Sequence, residues 1–253
     1  MDVLADILGS LRLTGGVAVD AEASGDYCLF SRFRDEDCEQ FGFTANELIA
    51  YHYVRSGHVH ASVDGDVVEA QTGDIILLPR NDAHLIYSRL DAKPVDSHDL
   101  IKERGAGPAK IVVGGPGEGA SLYCGFLGVS TEHHPLLDSL PPILKLSGTD
   151  NASDGWVESS MRLLNEGRHS PEMVARLPDL FFAEAIRRYM EQLPAGEGGW
   201  LAGLRDPAVA RALSVIHTRF AEDLTIETLA REAGVSRSVL GERFTELIGE
   251  PPM

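Results

Sequence analysis

The segment 224–249, LTIETLAREAGVSRSVLGERFTELIG, constrains this chain more than any other stretch. It reads as two short helices joined by a tight turn. Ala230 is small where two helices must cross, and Gly234 is free to take a positive φ at the turn. Val235 and Leu240 are apolar where the helices bury a seam. Ser236 stands where a helix N-cap is wanted, and Leu240, Phe244, Leu247 and Ile248 follow at i, i+4, i+7 and i+8. Turn, cap and apolar spacing agree on a helix-turn-helix, whose second helix lies in the DNA major groove. The plainer alternative is a helical hairpin with a glycine turn.

As a recognition helix, the second helix starts at Ser236. It turns Arg237, Ser238, Gly241 and Glu242 toward the groove, with Arg243 beside them. Ser236 and Arg237 suit phosphate. Ser238 and Glu242 suit base edges, a carboxylate accepting from a cytosine amine. Charge argues the other way. The chain carries a formal net charge of −17, and phosphate contacts need Lys and Arg. The acid is concentrated elsewhere: residues 205–253 hold 6 basic and 8 acidic residues, against 10 and 20 in residues 1–130. Even so, the helix-turn-helix segment is not basic, and one such unit alone should hold DNA poorly.

With 253 residues there is room for one large or two ordinary domains. No apolar run approaches the ~20 residues of a membrane span, so no membrane partner is expected. The first residues, MDVLADILGSLRL, carry Asp2 and Asp6 with only Arg12 as a base, and do not read as a signal peptide. Cys28, Cys38 and Cys124 are few and odd in number, which fits a reducing cytoplasm better than a disulfide framework.

From Asp26 to about Val129 short apolar runs alternate with Gly, Asp and Pro, among them ELIAYHYV, HVHASV, DIILLP, HLIYS, KIVVGG and SLYCGFLGV. Asp64-Gly65 between β-formers is a hairpin signal. The pattern predicts an antiparallel sandwich or small barrel. Residues 91–108 read as a long mobile loop. After His134-Pro135 the period becomes helical, over Asp154–Leu164 and over Pro171–Leu193 with a bend at Pro178. These helices either pack on the sheets or form a homodimer interface. Residues 195–199, AGEGG, are a flexible linker, and Asp206-Pro207 then opens a helix as N-cap and N1. The expected fold class is α+β.

Residues 206–253, DPAVARALSVIHTRFAEDLTIETLAREAGVSRSVLGERFTELIGEPPM, resemble the opening half of the DNA-binding domain of the AraC family of bacterial transcription regulators. GDIILLPRNDAH, LYCGFL, HPLLDSLPPIL and GWLAGLRDP resemble the cupin-type sensor domain of one AraC subgroup. The resemblance implies a cupin-like antiparallel β-barrel over 1–134, a helical linker and dimerisation region over 135–199, and the first helix-turn-helix over 200–253. Family members carry two such units, so the sequence reads as truncated after the first. The implied function is a regulator that binds promoter DNA in response to a small-molecule or oxidant effector. The alternative is a cupin-fold, metal-dependent enzyme, dioxygenase-like, with a helical appendage.

Cupins often hold a divalent metal, and the motif positions bear on that alternative. Gly73, Pro79 and His84 follow the spacing of the second cupin motif, with Asn81 in place of its Gly and Ser88 in place of its final Asn. The first motif fares worse. Its Glu position, counted back from Gly57, holds Ala50, and no histidine lies between Thr44 and Glu47. His52 shares the strand face of Ala50. A metal held by His52 and His84 would borrow a third ligand such as Glu47 or Cys124. The other reading is two histidines hydrogen-bonded inside the barrel. His58 and His60 share a strand face too, but fall after Gly57, outside the cupin ligand positions, and read as a surface pair. The strands of Tyr51–Val54, Ile75–Leu78, His84–Tyr87 and Leu122–Phe126 should line a small pocket. Cys28 and Cys124 are the redox candidates, with burial as the default for Cys124. Acids around Cys38 raise its pKa.

Overall fold

The computed structural model describes residues 3–11, 13–39, 46–101, 108–129, 134–148, 159–160, 177–194, 199–219 and 221–252. They divide into two compact units, one drawn from residues 13–132 and 140–185, the other from 1–12, 133–139 and 186–253.

The first unit is built of strands. In chain order, after the helix α1 (Val3–Ser10), these are β1 (Thr14–Ser24), β2 (Cys28–Ser31), β3 (Glu47–Ser56), β4 (His58–Val63), β5 (Asp66–Gln71) and β6 (Ile75–Leu78). There follow β7 (His84–Tyr87), β8 (Val95–Asp96), β9 (Ala109–Gly114), β10 (Gly119–Val129) and β11 (Leu144–Leu146), with a short helix α2 (Asp35–Glu39) after β2. One sheet runs β11-β6-β3-β10-β1-β9 and the other β5-β4-β7-β2-β8. Pairings are antiparallel except β1 with β9 and β2 with β8. Among the described residues the strands make two sheets rather than a closed ring.

Alternation builds the core. On β4, Val59, Ala61 and Val63 point inward while His58, His60 and Ser62 stay outside. With Val54, Ile76, Leu78, Ile86, Leu122 and Phe126 they form one apolar cluster drawn from both sheets. The Asp-Gly turn between β4 and β5 has positive φ at both residues, 48° at Asp64 and 99° at Gly65. That is the mirror-image turn whose twist matches a hairpin.

Residues 95–100 depart from the mobile loop expected there. Val95–Asp96 pairs with β2, and Ser97–Leu100 forms a 3₁₀ turn. The Asp96 carboxylate accepts from the His98 backbone N–H at 2.9 Å, an N-cap hidden in an Asp-rich stretch. Residues 102–107 lie outside the described residues.

The second unit is helical. It contains α1, α3 (Pro135–Asp138), α5 (Trp200–Gly203), α6 (Pro207–Thr218), α7 (Ile226–Ala233) and α8 (Arg237–Ile248). The boundary between units falls within α4 (Leu177–Gln192), where Phe181 and Ile186 are buried. Pro178 sits in the first described turn of α4, and residues 171–176 of the helix expected over Pro171–Leu193 lie outside the described residues. Asp206 caps α6 as expected, its carboxylate accepting from Ala208 and Val209 N–H at 2.9 and 3.0 Å, with Pro207 at the first position. Helix α1 packs against α6. The helix expected over Asp154–Leu164 and the linker residues 195–198 lie outside the described residues, apart from helical 159–160.

Candidate functional site

The helix pair is built as its sequence dictates. Thr225 caps α7, its hydroxyl accepting from Thr228 N–H at 3.2 Å. Gly234 ends it at φ 71°, the left-handed conformation glycine reaches without steric cost. Val235 N–H returns to the carbonyl of Ala230 at 3.0 Å, which closes the turn. Ser236 caps α8 by accepting from Val239 N–H at 3.3 Å. Leu229, Ala230, Leu240 and Phe244 pack with Val209, Ala212 and Leu213 of α6 into one core. Burying Leu240 and Phe244 contributes about 2–3 kcal/mol each.

The face opposite that core is open. Arg237, Ser238, Gly241 and Glu242 line a shallow groove with Ile226, Thr245 and Glu246. Ser238 and Glu242 are exposed on this face. The two arginines differ. Arg237 pairs with Glu227 of α7 at 2.6 Å, both more than half exposed. Arg243 turns back inside the unit and pairs with Asp206 at 2.9 Å.

The strand unit holds a small, mainly apolar cavity of about 30 Å³, room for about two waters. Val19, Ala21, Leu29, Ile86, Ile111 and Cys124 form its apolar wall, and His52 stands among them. Three of the four strands expected to line it do so. Ile75–Leu78 do not; Ile76 and Leu78 pack elsewhere in the same apolar core.

The structure brings His52 and His84 together, each 1% exposed, with Nε2 to Nε2 at 2.8 Å. Protons can be placed from the neighbours. His84 Nδ1 lies 2.8 Å from the Asp82 carbonyl, which only accepts, so Nδ1 donates there. His84 Nε2 is then the acceptor and His52 Nε2–H the donor. His52 Nδ1 is left as a buried acceptor with no partner among the described residues. Burial holds His84 down to about 4, and burial with the neighbouring His84 holds His52 well below the ordinary imidazole value. Both are neutral near pH 7.

This geometry does not fit a metal. Two nitrogens on one ion sit ~3.3 Å apart with lone pairs converging on it, whereas these share a proton across a shorter gap. Of the third ligands considered, Glu47 lies an odd number of residues from His52 on β3 and so faces the other way. Cys124 pairs in register with His52 and shares the cavity, and burial pushes its thiol up to about 12. The pair therefore takes the hydrogen-bonded form of the two readings, and among the described residues no third histidine, cysteine or carboxylate stands in ligand range of both rings. Cys28 is buried too, and burial raises its thiol as well. For Cys38, burial leads and Asp35 and Asp37 add to the rise, as the acidic run predicts.

Sequence reasoning missed two cavity residues. Asp37, 4% exposed, meets His98 Nε2 at 3.1 Å, and Asp96 holds the other ring nitrogen at 3.3 Å. The signal was the Asp-x-His spacing of 96–98, where the N-cap aspartate also orients the imidazole.

The chain thus holds a capped helix-turn-helix with an open outer face and a two-sheet unit with a small, mainly apolar cavity. The cupin family model matches residues 2–191, and the chain belongs to the cupin family. It is 29% identical to an AraC-like transcription regulator of Streptomyces antibioticus over 100% of this chain and 81% of that protein. It is 23% identical to the HTH-type transcriptional regulator AlkR of Acinetobacter baylyi over 100% of this chain and 82% of the relative. The solved structure of ToxT from Vibrio cholerae O395 aligns with 94% of this chain and 97% of its own at 12% identity and a TM-score of 0.35, too loose to bear on the site.

Proposed function

We propose that this AraC-like transcription regulator reads promoter DNA with the outer face of α8 and senses a small effector in the cavity beside His52. The observation that carries the DNA half is the groove-lining row of exposed Ser238, half-buried Gly241 and exposed Glu242 on a helix capped and packed by Ser236, Leu240 and Phe244. Ser238 and Gly241 are short, so Glu242 supplies most of the direct base discrimination. The effector half is supported by His52 Nδ1, a buried acceptor without a partner among the described residues, in a mainly apolar wall that also carries Asp37 and His98. A small molecule that widens this two-water cavity and donates one N–H or O–H to His52 Nδ1 is the effector chemistry it favours. Raised, buried thiols favour such a ligand over an oxidant.

A regulator rather than a metal-dependent enzyme is supported by the relatives' names and by the hydrogen-bonded histidine pair. Action in the cytoplasm follows from a DNA partner, and no helix among the described residues is long and apolar enough to cross a membrane. A homodimer through the helices of 135–199 belongs to the same reading, since paired DNA-reading units gain from symmetry.

Selection of binding sites from random duplexes tests the DNA half. Wild type and Glu242→Ala should yield profiles that differ at one base position. An identical profile from both sinks the assignment of Glu242.

A further inference from the structure

The outer face of the β4–β5 hairpin carries a cluster that neither the cavity nor the DNA-reading helix uses. His58 and His60 are alternate residues of β4, and Glu69 lies directly across from His60 on β5. Their ligand atoms, one nitrogen from each ring and one carboxylate oxygen, all fall within 4.8 Å of one another. Among the described residues, no other group of three such side chains is this close. We propose that His58, His60 and Glu69 bind a divalent transition cation, Zn²⁺ or Cu²⁺, on the outside of the strand unit.

The geometry suits that chemistry. His60 Nε2 stands 3.4 Å from Glu69 Oε1, already the ~3.3 Å spacing of two ligands on one tetrahedral ion. His58 Nε2 is 3.9 Å from the other carboxylate oxygen, so a rotation of a half-exposed ring completes the set. Neither ring is free to wander far. His60 stacks on Tyr87 of β7 at 5.3 Å between centroids and 12° between planes, and His58 meets His60 edge-on at 4.9 Å. Two imidazoles and one carboxylate select borderline cations over Mg²⁺ and Ca²⁺, which prefer all-oxygen shells. The fourth position opens to solvent, for water or an outside ligand. Sequence spacing alone set the two histidines on one face; the cross-strand register supplied the third ligand.

Position gives the ion a mechanical role. Among the described residues β5 is the edge strand of its sheet and pairs there only with β4, so an ion bridging Glu69 to both histidines staples the edge hairpin. Binding should raise the melting temperature of the whole chain with metal concentration.

The test uses the full chain without a polyhistidine tag, stripped of metal and titrated with Zn²⁺ against a colorimetric chelator. One ion per chain is expected. His58→Ala and Glu69→Gln, both exposed positions, should each weaken binding by roughly tenfold or more, while His84→Ala leaves it unchanged. Co²⁺ should give the absorption of a tetrahedral site in wild type and lose it in His58→Ala. Failure to bind Zn²⁺, binding unaltered in both surface variants, or binding lost in His84→Ala would each overturn the proposal. Unaltered melting curves for His58→Ala and Glu69→Gln without metal keep a folding defect from passing as lost affinity.

Discussion

Arg243, midway along the second helix of the helix-turn-helix, reaches back 2.9 Å to the carboxylate of Asp206, which caps α6, the helix packed against that pair. One side chain therefore closes a helix N-terminus and anchors α8 to α6. Burial alone would raise the Asp206 carboxyl, but the backbone N–H groups of Val209 and Ala208, with Arg243, pull it below its ordinary value. A depressed carboxyl contributes stability above its unfolded pKa and loses it as pH falls through the folded one.

Asp206→Ala should accordingly destabilise the helical unit by about 1–2 kcal/mol, the usual loss of an N-cap. Denaturant unfolding at pH 7 measures it. The deficit should shrink below about pH 4, where wild type loses the same charge. A deficit that stays constant down to pH 3 would mean the carboxylate charge plays no part.

The His52–His84 pair gives acid sensitivity over a higher window. Their folded pKa values are depressed, so stability is full above the unfolded imidazole value and declines as pH drops toward the folded one, about 4 for His84. Between pH 6.5 and 5 the unfolded chain gains a proton that folded His84 refuses, costing about 2 kcal/mol. His84→Ala should lower stability at pH 7 by about 1–3 kcal/mol by orphaning His52 Nε2–H. It should also flatten the decline between pH 7 and 5. Equal slopes in variant and wild type would show that the pair stays protonated, against the tautomers assigned.

The helix pair was fully legible in the sequence because each device there is local: Gly234 ends a helix, Ser236 and Asp206 begin one, Pro207 follows its cap. Six strands of the first unit announced themselves as Val- and Ile-rich runs. β1 did not. Its inward face carries Val19 but is otherwise Ala18, Ala21 and Ala23, too small to register as an apolar alternation, and a register shift between Val17 and Val19 breaks the period. The meeting of His52 and His84 was foreseeable from strand faces. That they share a proton instead of flanking an ion depends on a distance between two sheets, which no local pattern encodes. Asp37 and His98 lie 61 residues apart and meet only through tertiary packing.

Arg237 offers a direct test of the DNA face. Its exposed pair with Glu227 competes with any phosphate for the same guanidinium. Exposed pairs are weak, about 0–1 kcal/mol, so DNA can displace the carboxylate. Glu227→Gln should therefore tighten binding to a selected duplex several-fold, and Arg237→Ala should lower the slope of log K against log salt by about 0.9. Fluorescence anisotropy at several salt concentrations reads both. A Glu227→Gln protein that binds no better than wild type would mean Arg237 does not contact phosphate.

The cysteines decide between the two effector chemistries. Cys28, Cys38 and Cys124 are free and buried, and Cys124 sits in the cavity wall with its thiol pushed to about 12 by burial first and Asp20 second. At pH 8 such a thiol is roughly 10⁻⁴ thiolate, about a thousandfold below an ordinary cysteine. The thiolate is the form that attacks peroxide or an alkylating reagent, so the folded protein should resist both. Native protein treated with iodoacetamide at pH 8 should stay unlabelled at Cys124 over minutes, while the same protein in denaturant labels at all three positions. Peroxide should leave DNA affinity unchanged. Rapid native labelling of Cys124, together with a peroxide-dependent change in DNA binding, would replace the ligand reading with an oxidant one.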